Sequence, residues 1–274
     1  MPLTPTEPRL SYELAGNHGP QVLLIMGLGM KGRVWEPQIQ DLSTDHRLAT
    51  FDNRGIGASA AMAGRPRISD LADDAARVAD AAGFSSFHLV GVSLGGMIAQ
   101  ELTLRHPERI ASLTLIATLA GGPLGLAPRP AGLWAFVRSL FGPRSQRLVA
   151  LQKLLYTPEF LAEVDKARLD ARMKLQVGER AHPRTVLSQL YAAVRHDTRE
   201  RLRDIRARTL IVRPGKDILI RPKHSDLLHR SIPRARLLDL PGAGHGVTFQ
   251  NAGEVSAAVR AHVAESEAEG LARA

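Results

Sequence analysis

The chain has 274 residues, 44% hydrophobic and 23% charged, with a formal net charge of +9 and no cysteine. That composition suits a globular chain able to bury a large core without covalent staples. The missing cysteine excludes disulfides, thiolate metal sites and cysteine nucleophiles.

The first ten residues hold no apolar stretch of the signal-peptide kind, and apolar runs such as residues 22–26 are far too short to span a bilayer. The expected compartment is therefore the cytoplasm. Most of the positive charge lies in residues 123–205, which hold 15 Lys/Arg against 8 Asp/Glu. These bases are scattered among acids and apolar residues, with no basic run and no interleaved aromatics. They read as a solvated helical surface, and no nucleic-acid partner is expected.

In chain order, residues 9–14 can form an antiparallel edge strand. Short apolar, β-branched runs follow at 21–26, 47–51, 87–90, 112–117, 208–212 and 236–240, each bounded by Gly, Pro, Asp or Asn. Such runs lack polar alternation, as buried parallel strands do. Helical patterns lie between or after them at 34–42, 68–82, 94–105, 222–230 and 254–265. This alternation predicts an α/β fold with a mostly parallel sheet between helices. The rhythm breaks after residue 120. A Gly/Pro-rich entry over 121–130 leads into helical stretches at 133–140, 145–156, 158–176 and 184–194, with no convincing strand. We read residues 1–120 and 206–274 as the core and 121–205 as a helical cap. Residues 266–274 read as a frayed tail.

The segment Gly91-Val92-Ser93-Leu94-Gly95 joins a predicted strand to a predicted helix. A tight turn there lifts the Ser93 hydroxyl clear of the sheet, and the helix N-terminus favours negative charge beside it. A serine needs a base to remove its proton. Among ten histidines, His245 stands out in the Gly-rich stretch 241–246 after the last strand. His18, His46, His106, His224, His229 and His262 read as surface, loop or helix residues, His88 as packed in a strand, and His182 and His196 as cap residues. An acid must orient the base. Asp217 follows a strand's C-terminal end and is preferred over Asp204 and Asp239. Two N–H donors are expected to face the developing oxyanion. They are Leu94, directly after the nucleophile, and Leu28 in the loop 26–30 after the first parallel strand.

The chain resembles the α/β-hydrolase superfamily, in the capped kind that includes esterases, methylesterases, enol-lactonases and cofactor-free haloperoxidases. The resemblance rests on residues 26–29 with Trp35, 51–59, 91–100, 106–109, 215–217 and 242–245, and covers the cap least. It implies the α/β-hydrolase fold, a Ser93–Asp217–His245 triad in that chain order and an oxyanion hole at Leu28 and Leu94. Most relatives carry His-Gly in the oxyanion loop, where this chain has Met26-Gly27. Serine at position 93 argues against dehalogenases and epoxide hydrolases, which use Asp there.

The reading that follows is a serine esterase for a small to medium apolar ester or lactone. The alternatives are an enol-lactonase or thioesterase with the same triad, a cofactor-free haloperoxidase, and a non-catalytic receptor. Substrate contacts are expected among the cap aromatics Trp134, Phe136, Phe141, Tyr156, Phe160 and Tyr191, most of which should pack between helices. Asp52 and Arg54 read as loop ties. Residues 27–32 spell Gly-x-Gly-x-x-Gly, but no acidic ribose partner follows beyond Asp52, and no metal-ligand constellation is evident. No cofactor is expected.

Overall fold

The computed structural model describes residues 1–62, 64–122, 128–177 and 181–273. Within them, seven strands form one sheet: β1 (Tyr12–Ala15), β2 (Gln21–Ile25), β3 (Arg47–Phe51), β4 (Phe87–Val92), β5 (Ile110–Ile116), β6 (Arg208–Pro214) and β7 (Ala235–Leu240). The order across the sheet is β1-β3-β2-β4-β5-β6-β7. Only β1 runs antiparallel, pairing Tyr12 with Phe51 at the edge. Strand β4, which leads into Ser93, lies between β2 and β5, in register Ile25 with Gly91 and Val92 with Ile116.

The strands are apolar throughout because both faces are covered. Leu23, Ile25, Leu89 and Ile211 point into a core shared with α2 (Ile68–Ala81), α3 (Leu94–Arg105) and α9 (Lys223–Ser231). Their alternates Val22, Leu24, Val90 and Val212 point to the opposite face, against Trp35, Leu42, Val255 and Val259 of the segment around α1 (Glu36–Leu42) and of α11 (Ala252–Arg273). The period of two thus sorts one hydrophobic run into two cores.

Between β5 and β6 come α4 (Pro130–Phe141), α5 (Arg144–Leu155), α6 (Pro158–Glu163), α7 (Lys166–Val177) and α8 (Pro183–Val194), and no strand among the described residues. The middle of the Gly/Pro-rich entry, residues 123–127, lies outside the described residues. The stretch 158–176, read as one helix, is two. Val164 turns extended (φ −64°, ψ 138°), and the Asp165 carboxylate accepts the Arg168 N–H at 2.8 Å, capping a new helix start. The short helix α10 (Val247–Gln250) precedes α11. The stretch read as a frayed tail continues α11 to residue 273. Glu265 pairs with Arg208 and Arg236, Glu269 with Arg208 and Arg234, and Ser266 is buried. No helix among the described residues is long and apolar enough to cross a membrane.

Candidate active site

The site collects at the C-terminal ends of the central strands. Ser93 sits between β4 and α3 with φ 54° and ψ −118°, a conformation that costs a non-glycine residue roughly 1–3 kcal/mol. The surroundings enforce it. The Ser93 N–H donates to the Ile116 carbonyl at 2.9 Å, and the Thr118 hydroxyl donates to the Ser93 carbonyl at 2.6 Å. Glycines make the turn possible. A Cβ on Gly91 would lie 2.3 Å from the Gly95 oxygen, and one on Gly95 would lie 2.1 Å from the Ile25 oxygen.

Asp217 follows β6 and is fully buried. Its Oδ1 accepts the N–H groups of Leu219 (2.8 Å) and Ile220 (2.9 Å). Its Oδ2 stands 2.7 Å from Nδ1 of His245, itself buried in the loop after β7. An ionised carboxylate can only accept, so this contact puts the ring proton on Nδ1 and leaves the Nε2 lone pair free to act as a base. The two other acids weighed for this role lie elsewhere. Asp239 pairs with Arg213 at 2.8 Å, and Asp204 is exposed.

The loop after β2 lies against Ser93: a Cβ on Gly27 would be 3.3 Å from Ser93 Cβ. Neither the Leu28 nor the Leu94 N–H carries a hydrogen bond to a described residue. The loop is held from two sides. Asn53 Nδ2 donates to the Met26 carbonyl at 3.1 Å, and the Gly29 N–H donates to Gln189 Oε1 of α8 at 2.9 Å. Asp52 and Arg54 do tie loops. Asp52 Oδ1 accepts the Gly32 N–H at 2.8 Å, and Arg54 grips the buried Asp74 through two bonds of 2.8 and 2.6 Å. Burial pushes the Asp74 carboxyl up against the opposing pull of Arg54.

Ser93, Leu94, Leu28 and His245 all line one cavity of about 650 Å³, roofed by α4, α5, α7 and α8. Its walls are mostly Leu, Met, Val and Phe, with Arg147 and Arg172 as the cationic exceptions.

Three comparisons bear on this arrangement. The profile of a family described as alpha/beta hydrolase fold matches residues 20–252. The chain belongs to that family. It is 35% identical over 245 residues to a protein of Azorhizobium caulinodans named "Putative carbamate hydrolase RutD", covering 86% of this chain and 88% of that one. Among solved structures, a hydrolase from Pseudomonas aeruginosa PA01 superposes with a TM-score of 0.80 at 25% identity, over 96% of this chain and 97% of the other. An enol-lactonase from Burkholderia xenovorans LB400 shares the fold with a TM-score of 0.82 at 23% identity, over 96% and 100%.

On this alpha/beta hydrolase frame, the cap aromatics divide. Phe136 and Phe141 line the cavity. Trp134 does not. It is 62% exposed, one residue round α4 from the lining Leu133, and the Arg138 guanidinium lies over its ring. Tyr191 also stands outside the lining, between Arg65 and Arg195. Tyr156 is buried against Phe160 and Phe249 and fills the space beside Gly246. Burial raises its phenol pKa, while the nearby Arg172 guanidinium opposes that rise. Of the histidines set aside as surface, loop or helix residues, His46, His224 and His262 are buried, and none of the three lines the cavity. His182, read as a cap residue, does line it.

Sequence reasoning missed Gln189, fully buried, and Leu155, whose carbonyl accepts the Gly246 N–H at 2.6 Å. Neither carries a motif. A glutamine among Leu, Tyr and Ala on a helix looks solvent-facing, and a carbonyl contact leaves no trace in residue identity.

Proposed function

We propose that this chain is a serine hydrolase that cleaves a carboxylic ester or lactone through an acyl-enzyme on Ser93. One observation carries the reading: a serine strained at a helix N-terminus shares a cavity with a histidine whose far nitrogen is engaged by a buried aspartate. In the first step His245 Nε2 takes the Ser93 proton as Oγ attacks the carbonyl carbon. The N–H groups of Leu28 and Leu94 receive the oxyanion, each such donor being worth about 10²–10³ in rate. His245 then returns the proton to the leaving alkoxide, and a water activated by the same ring releases the acid. Residues 121–205 act as the cap that shapes the pocket, and the protein works in the cytoplasm on a small to medium substrate.

The apolar walls favour an ester or lactone. Identity with the RutD protein favours a second substrate, a carbamate, which the same groups would cleave by the same route. Turnover of p-nitrophenyl esters of graded chain length, alongside lactones and carbamates, separates these readings. Ser93→Ala is expected to lose turnover by more than about 10³-fold, keep its fold, and escape labelling by a fluorophosphonate that labels the parent. Full activity in Ser93→Ala ends the proposal. A parent that binds ligands but neither turns over nor takes the label is a receptor on this fold.

A further inference from the structure

The cavity contains a charge that its apolar walls do not explain. Arg172, on α7, is only 4% exposed. Its Nη1 donates to the Val34 carbonyl at 2.6 Å, and its guanidinium carbon lies 5.0 Å from the centre of the Phe249 ring. Its Nε is buried without a hydrogen-bond partner, and Nη2 carries no hydrogen bond to a described residue. No carboxylate among the described residues pairs with it.

The contrast with other arginines is sharp. Arg54 has Asp74, Arg201 has Glu101, Arg208 has Glu265 and Glu269, Arg213 has Asp226 and Asp239, and Arg260 has Asp41 and Asp45. Those cations are more exposed than Arg172, yet each has an anion. A guanidinium withdrawn from water without an anion is costly, and a π contact, one carbonyl and the neighbouring neutral Tyr156 hydroxyl do not repay that cost. Charge of one sign accumulates here. Arg147, which also lines the cavity, spends its Nε on the Gly142 carbonyl at 2.6 Å and forms no ion pair with a described residue. Among the described lining residues there is no Asp or Glu.

We propose that the missing anion is part of the substrate: the cavity takes an ester or lactone that carries a carboxylate away from the scissile bond, and Arg172 binds that carboxylate. The inference rests on the Ser93 hydrolase reading and refines it. Val34 lies six residues beyond Leu28 on the loop after β2, so the Val34 bond holds the guanidinium to the segment that supplies the oxyanion donor. The apolar walls then hold the chain between two polar ends. Arg147 adds long-range attraction, and specificity comes from the buried charge, since a neutral end leaves Arg172 unpaired.

Matched substrates test this: p-nitrophenyl hydrogen adipate against p-nitrophenyl hexanoate, with shorter and longer homologues of each. The parent is expected to favour the charged ester by about tenfold or more in kcat/KM at its best chain length. Arg172→Gln should lower kcat/KM for the charged ester by at least about tenfold more than for the neutral ester, chiefly through KM, with Arg172→Lys recovering part of the loss. A parent that shows no preference for the charged ester at any length overturns the proposal, and so does an Arg172→Gln that weakens both esters alike. If that variant does not fold, the parent's own preference still decides. A measurement free of turnover separates this idea from the nucleophile. By calorimetry, Ser93→Ala should bind methyl hydrogen adipate at least about tenfold more tightly than methyl hexanoate. The half-ester bound no better than the neutral ester refutes the carboxylate site even if Ser93 proves to be the nucleophile. Tight binding of the half-ester upholds the site even if it does not.

Discussion

Replacing Asp217 by Asn tests the hydrogen-bond logic of the site. The substitution keeps shape and removes charge, so the outcome depends on which way the new amide points. Oδ1 of Asp217 accepts two backbone N–H groups, from Leu219 at 2.8 Å and Ile220 at 2.9 Å. An Asn that turned its NH₂ toward them would leave two buried donors unsatisfied, at about 1–3 kcal/mol each. The amide oxygen therefore stays on the backbone side, and the NH₂ faces Nδ1 of His245, 2.7 Å away in the parent. A donor there requires Nδ1 to accept, which moves the ring proton to Nε2, the nitrogen that must take the Ser93 proton. The expected result is a fall of about 10³–10⁴ in kcat on a p-nitrophenyl ester, with KM within about threefold. Thermal unfolding should move by only a few degrees, because the two backbone bonds survive. Asp239→Asn, which changes a surface pair with Arg213, should leave kcat near that of the parent. An Asp217→Asn enzyme that retains a tenth or more of parental kcat would refute the assignment of Asp217 as the residue that sets the tautomer.

Two further outcomes follow from buried polar groups. Gln189→Leu strips the acceptor from the Gly29 N–H, which it holds at 2.9 Å, and loosens the loop that carries Leu28. An unsatisfied buried donor costs about 1–3 kcal/mol, so kcat should drop by roughly tenfold or more with little change in KM; steady-state kinetics with unchanged kcat would deny the loop its tether. His196 and His262 are both held down to about 4 from 6.5, chiefly by burial. Both rings stay neutral in the native state while the unfolded chain gains protons below pH 6.5. Stability is therefore complete above that pH and declines as pH falls toward 4, by about 2 kcal/mol per ring at pH 5. Urea unfolding at pH 7.5 and 5 should show a smaller difference for His262→Gln than for the parent, and an equal difference would contradict this account.

Much of the core was legible because its signals are local. Gly-x-Ser-x-Gly carries its own steric reason, and Asp217 and His245 announce themselves as turn residues just past strand ends, where side chains of such sheets converge. The cap was legible only as helix. Residues 133–137 run Leu-Trp-Ala-Phe-Val, apolar on every face, so nothing in the sequence says that Leu133 and Phe136 reach the cavity while Trp134 and Val137 do not. The break at residue 164 had a signal, Asp165 as an N-cap, overridden by the apolar pattern running through it. The tail was misread for the opposite reason: Glu269 looks like solvated charge until Arg208 of β6 and Arg234 of the turn before β7 arrive beside it.

The helical insertion is more than a roof. Gln189 of α8 holds the Gly29 N–H of the loop after β2, the Leu155 carbonyl at the end of α5 holds the Gly246 N–H next to His245, and Arg172 of α7 holds the Val34 carbonyl. Each bond joins a separate insertion helix to a different part of the site, and each uses a backbone group of the core that its own sheet leaves unpaired. The glycine at 246 fits the same scheme, since a Cβ there would lie 2.5 Å from the Tyr156 ring. On the proposed mechanism, pocket shape and catalytic geometry are thereby coupled. A cap substitution that tilts α5 or α8 moves an imidazole loop or an oxyanion donor as well as a wall, so it should change kcat as well as KM. Buried polar residues of the insertion, Gln189 and Arg172, are where its helices meet the core loops.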